Sequence, residues 1–150
     1  MEKHQVIKEV IAYLQAEKSR LEQDFSNKEK QYSQVVVSFS ELSFTPFWRQ
    51  PLKPLLKKFL ARRAEKLRRE ILNLRLRIQE FTQAIVDLKK GIYFTAIPLM
   101  NQLSDRHFFY PLLSPVISIA PVYQASRPNL TFYYILDLTK RLITLQKERE

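Results

Sequence analysis

His4 and His107 are the only histidines in 150 residues, and neither has a second histidine one helical turn away, so the spacing that holds zinc on a helix is missing. His107 ends the triplet Asp105-Arg106-His107, beside Phe108, Phe109 and Tyr110. A lone imidazole in such a setting is ordinarily packed or hydrogen-bonded rather than a base, and Asp105 with Arg106 reads as a turn or a local ion pair. There is no cysteine, which excludes thiol nucleophiles, disulfides, cysteine-ligated zinc and iron–sulfur clusters. Gly91 is the single glycine, whereas phosphate-binding loops, dinucleotide turns and nucleophile elbows each need two or more at fixed spacing. The carboxylates Glu17, Glu22, Asp24, Glu29, Glu65, Glu70 and Glu80 lie among lysines and arginines at amphipathic spacing, where solvated, salt-bridged faces are expected. The sequence therefore predicts no catalytic residue, no metal, no cofactor and a non-enzymatic role.

Two surfaces remain on which a partner can act. The first is electrostatic: 25 basic against 15 acidic residues give a formal charge of +10, which suits anionic partners. Residues 53–77 hold ten of the basic side chains and only Glu65 and Glu70, so most of the excess lies in 25 residues. On a helix, Lys57, Lys58, Arg62, Arg63, Lys66, Arg68 and Arg69 form a broad cationic face able to follow a phosphate backbone. No aromatic is interleaved among the arginines to read or stack on bases, so nucleic-acid binding here is sequence-indifferent, with a log–log salt slope of about −4 to −5 for four to six contacts. An ordinary solvated face answering acidic residues elsewhere is the competing reading. The second surface is apolar: Leu42, Phe44, Phe47 and Trp48 cluster around Thr45-Pro46 in a connecting segment. Either they pack on the C-terminal segment and on each other, or they stand exposed as an anchor for a protein partner.

Periodicity supplies the elements that position these residues. Leu60, Ala64, Leu67, Ile71, Leu74, Ile78, Phe81, Ile85, Leu88 and Ile92 step by four and three without a polar interruption, a heptad seam that predicts a helix over about 52–90. Pro51 and Pro54 suit its start, and Lys89 and Lys90 before Gly91 suit its end. Ile7, Ile11, Leu14, Lys18, Leu21, Phe25, Lys28, Tyr32, Val35 and Phe39 carry the same rhythm and predict a helix over about 3–40. Two helices of like length joined by a short proline-bearing connection predict a long antiparallel hairpin in which paired positions sum to about 99. A parallel dimer is the alternative. Lys18 and Lys28 interrupt the first seam, either fixing register or snorkelling to solvent. A strand over Val35–Phe44 is a weaker rival, because β-branched residues alternate there. Leu72 and Leu76 lie off the seam and hint at a second packing surface.

Beyond Gly91 the character changes, since Asp105 and Arg106 are the only charges from Ile92 to Ser126, and Pro98, Pro111, Pro115 and Pro121 forbid a long helix. The charge-free run from Phe108 to Ser126 is too short and too proline-rich to cross a bilayer. A compact apolar segment is expected instead, followed by a C-terminal helix over about 130–148 that can be entered by a small β-hairpin near 116–136. The fold class is thus mainly α. Residues 1–91 form the basic hairpin, and residues 92–150 pack on it as part of one domain. The N-terminal apolar residues are interrupted by charges, so no signal peptide is expected and the protein reads as cytoplasmic. The sequon at Asn129 reads as a turn or cap. The function expected is that of a helical interaction protein, an adaptor, assembly factor or structural subunit. The alternative is a nucleic-acid-binding accessory subunit, then association with an acidic membrane surface; self-association is compatible with each.

Overall fold

The computed structural model describes residues 2–113 and 130–149. Four helices account for most of them: α1 (Lys3–Phe44), α2 (Lys53–Lys89), α3 (Ala96–Leu113) and α4 (Leu130–Arg149), with no strand among the described residues. The strand considered over Val35–Phe44 is the end of α1. Three successive valines cost a helix a few tenths of a kcal/mol each, but the four–three rhythm runs through them and buries Val35. The β-hairpin considered near 116–136 falls on residues outside the described set up to 129, and its remainder, 130–136, opens α4 as helix. Contacts gather the chain into two compact units, residues 1–17 with 81–150 and residues 18–80.

Residues 18–80 form a two-helix hairpin. The cross-helix pairs Phe25 with Arg75, Lys28 with Glu70, Phe39 with Lys57 and Ser43 with Lys53 have positions that sum to within two of 98, the antiparallel register expected from the seams. Only Leu21, Val35 and Leu67 are buried on this limb, because a pair of helices covers just one stripe of each. The other seam residues are half-buried, and Leu72 and Leu76 stand in solvent. Helix α1 runs four residues past its expected end. The Ser43 and Thr45 hydroxyls donate to the carbonyls of Phe39 and Glu41, and Pro46 then bars its predecessor from helical backbone.

The two lysines of the first seam are used differently. Lys18 stays within its own helix, 3.7 Å from Glu22, while Lys28 crosses to Glu70 at 2.9 Å. A hydrogen bond from Lys28, with the positive field of Lys28, Lys66 and Arg63, holds the Glu70 carboxyl below its ordinary value of 4.5, partial desolvation opposing. A lowered carboxyl pKa stabilises the fold above the unfolded-state value and loses that contribution as pH falls through the folded one. Both side chains are about one-third exposed, so the pair is worth at most about 1 kcal/mol. A double-mutant cycle with Lys28→Met and Glu70→Gln should give a coupling of about 0.5–1 kcal/mol at pH 7 that is lost as Glu70 takes up a proton in acid. A coupling that persists once Glu70 is protonated would show that it does not come from the charge pair.

The other unit holds most of the core. The first turns of α1 contribute Val6, Val10 and Leu14, and the last turns of α2 contribute Phe81, Ala84, Ile85 and Leu88. Tyr93 follows from the connection, Ala96, Leu99, Met100 and Leu103 from α3, and Ile135, Leu138 and Leu142 from α4. Every set recurs at three- and four-residue steps, so each helix turns one stripe inward. Pro98 falls in the first turn of α3, where its missing N–H has no helical partner to lose. Helix α2 ends as expected at Gly91, whose φ of 85° lets the N–H of Ile92 reach the Asp87 carbonyl at 2.8 Å and its own N–H reach that of Leu88 at 3.1 Å. The Arg149 guanidinium donates to the Gly91 carbonyl. The Asp87 carboxylate accepts from the Gln83 amide and the Thr95 hydroxyl, both at 2.8 Å, which satisfies it in a buried position. Tyr13 and Tyr134 lie with ring centroids 5.9 Å apart, and burial raises the pKa of both phenols. For Tyr134, hydrogen bonding to Glu9 adds to the rise.

Asp105 and Arg106 correct the sequence reading. They lie inside α3 rather than in a turn, and Arg106 pairs not with its neighbour but with Glu17, at 3.0 Å. Glu17 in turn is not on a solvated face: it is 4% exposed. Arg106 is intermediate in exposure, which makes this a largely buried pair joining the start of α1 to α3.

Candidate functional site

The distinctive surface of residues 18–80 is the end where α1 passes into α2. Eight residues, 45–52, connect the helices, and the turn holds itself together. The Arg49 and Gln50 N–H groups donate to the Pro46 carbonyl, and the Lys53 N–H to that of Gln50. The Lys53 ammonium reaches back to the carbonyls of Ser43 and Thr45 at 3.2 and 2.9 Å. It thereby places a cation on the C-terminal carbonyls of α1, where both the orphan acceptors and the helix dipole favour one.

With the backbone thus occupied, the apolar side chains point elsewhere. Phe44 is 88% exposed, Trp48 76% and Phe47 63%, while Leu42 is half-buried. The Arg49 guanidinium lies 5.0 Å from the centre of the Trp48 ring, an exposed cation–π contact that leaves the rest of the indole in solvent. Three residues that the sequence reading did not single out join them: Leu52, Leu55 and Phe59 are all more than half exposed. The signal was present, because Leu55 and Phe59 lie off the seam 60-64-67, on the side of α2 that leads by three- and four-residue steps to Arg62 and Lys66. Val36 and Val37 add exposed apolar surface on α1. Leu72, Leu76, Val86, Phe94 and Tyr133 are exposed elsewhere, but here the exposed apolar residues gather around one turn and its flanks, which makes it a candidate contact surface.

The cations expected to bind anions separate into two groups. Lys58, Arg62, Arg63, Lys66 and Arg68 are exposed. Lys57 is half-buried, its ammonium 5.6 Å from the centre of the Phe39 ring, and Arg69 lies 3.6 Å from Glu65 one turn earlier. Between the helices a groove of about 280 Å³ is lined by Tyr32, Val36, Phe39, Leu60 and Ala64 together with the charged Glu65 and Arg68. The groove offers apolar burial with one acidic and one basic side chain in its wall, and the exposed cations of α2 lie on the same helix.

Among the described residues there is no group of three histidine, cysteine, aspartate or glutamate side chains able to hold a metal ion, and no helix long and apolar enough to cross a membrane. His4 is exposed at the start of α1, while the surroundings of His107 lie outside the described side chains. No protein-family model, no curated protein and no solved structure matches this chain.

Proposed function

We propose that this chain is a non-enzymatic helical interaction protein, an adaptor, assembly factor or structural subunit, that docks through the apolar end of its α1–α2 hairpin with the basic face of α2 beside it. The observation that supports this most directly is the exposure of Phe44, Phe47 and Trp48 on a turn whose backbone is already hydrogen-bonded. Large apolar side chains held in water are a standing cost to the isolated molecule, on the order of 1.5–3 kcal/mol each that burial can recover. Aromatic residues are also the type most enriched where interfaces are driest.

Trp48 is the only tryptophan, so its fluorescence tests the reading without a label. In the isolated monomer, with its state confirmed by sedimentation, emission should be at the long-wavelength limit and as open to acrylamide quenching as free tryptophan. A blue, quencher-protected emission from the monomer means that the turn is covered by the chain itself and is not a docking end.

A further inference from the structure

Resting on that reading, we propose that the occupant of the hairpin end is the surface of an anionic lipid bilayer, entered shallowly by the turn and held by the cations behind it. Three features favour lipid over a rigid partner. The first is that the exposed apolar residues go round the end rather than over one side of it. Val37 lies opposite the seam positions Val35 and Phe39 on α1, Leu55 and Phe59 lie on the outer side of α2, and Phe44, Phe47 and Trp48 lie between. A folded partner seats against one side, whereas a fluid apolar phase meets all of them at once.

The second feature is the order along the helix. At about 1.5 Å per residue, Leu52, Leu55 and Phe59 occupy roughly the first 10 Å of the limb, the depth to which interfacial segments enter the boundary between headgroups and acyl chains. Lys58 and Arg62 begin level with Phe59, and Arg63 and Lys66 follow, which sets cations where acidic headgroups lie. Across the seam, Glu41 is the only charged residue between 31 and 48, so little acidic charge opposes this. The third is the turn itself. Its carbonyls and N–H groups bond to one another and to Lys53, and Trp48 with Arg49 pairs an apolar ring with a polar neighbour as interfacial anchors do. Nucleic acid would engage the cations and leave the aromatic end unused.

Vesicles of phosphatidylcholine with phosphatidylserine, compared with phosphatidylcholine alone, test this with the full chain. Cosedimentation should occur with the anionic vesicles and weaken with salt. Trp48 emission should shift to the blue and be quenched by brominated acyl chains. Arg62→Gln and Lys66→Gln should each lower partitioning about fivefold. Phe44→Ser combined with Phe47→Ser and Leu55→Ser leaves the charge and the tryptophan in place on exposed positions, and should lower partitioning more than tenfold with helix content by circular dichroism unchanged.

Anionic vesicle binding that leaves Trp48 unshifted, or that the triple serine variant retains, overturns the proposal, since the apolar end is then not used. Retention on duplex DNA by both proteins with no vesicle binding overturns it in favour of phosphate-backbone contact. No binding to vesicles by a monomer whose Trp48 is fully quenchable also overturns it but leaves the docking function standing, with an acidic protein socket as the occupant. A Trp48 already shielded in the monomer removes both.

Discussion

Replacing Phe81 by alanine should lower the unfolding free energy by about 3–5 kcal/mol, measured by urea denaturation followed at the helical circular dichroism band. Phe81 has no solvent exposure, and it sits in the unit to which four helices each contribute an inward stripe. Removing its ring takes away the transfer free energy of a buried aromatic and leaves a cavity that the facing side chains close only in part. Against a typical total of about 5–15 kcal/mol, such a loss brings the protein near its threshold. Phe39→Ala, on a seam residue that is half-buried in the 18–80 limb, should cost about 1–2 kcal/mol, since less area leaves water and the gap opens to solvent. Equal losses at the two positions would mean that burial is shared evenly along the seam and that the unit containing Phe81 adds no core beyond it.

That contrast marks what periodicity can and cannot convey. The four–three rhythm identified both long helices, like helix lengths and the short proline-bearing connection the antiparallel register, and Lys89, Lys90 and Gly91 the end of α2, because each depends on which side of a helix is apolar or on local backbone chemistry. It did not reveal how many partners that side meets. Leu14 and Leu60 are equivalent seam positions in sequence, yet Leu14 is fully buried and Leu60 half-buried, because α3 and α4 join the unit containing Leu14 and not the limb containing Leu60. The same blindness explains the aromatic turn: composition shows that Phe44, Phe47 and Trp48 are costly to leave in water, but only the packing shows that they are left there. Leu55 and Phe59 were legible by the same wheel that sorted the cations. Both precede Leu60, the first residue of the seam, so its rhythm does not reach them, whereas the off-seam Leu72 and Leu76 lie within its span. The rival strand at Val35–Phe44 failed for the opposite reason, since a local propensity of tenths of a kcal/mol yields to a register that continues on both sides of it.

The Glu17–Arg106 pair lay furthest from the reach of sequence, because nothing local distinguishes Glu17 from the other carboxylates of α1, and its partner is on a helix within the segment that the sequence reading left as a compact apolar stretch. It carries the second large effect. Arg106→Met should cost about 2–3 kcal/mol, below the 3–5 typical of a fully buried broken pair because the arginine is partly exposed. The loss arises because a carboxylate that is 4% exposed loses the guanidinium 3.0 Å away, so a buried charge is less well compensated. Glu17→Leu alone leaves the arginine, whose partial exposure lets water take over part of its solvation, and should cost less, about 1–2 kcal/mol. The double replacement Glu17→Leu, Arg106→Met removes both desolvation costs and adds apolar contact, so it should be more stable than Arg106→Met alone, as with other buried pairs exchanged for hydrophobic residues. Urea denaturation of the four proteins gives the coupling, expected above about 1 kcal/mol. Strict additivity, with the double variant bearing the sum of the single losses, would show that the two groups contribute separately and that their ion pair does not hold the start of α1 to α3.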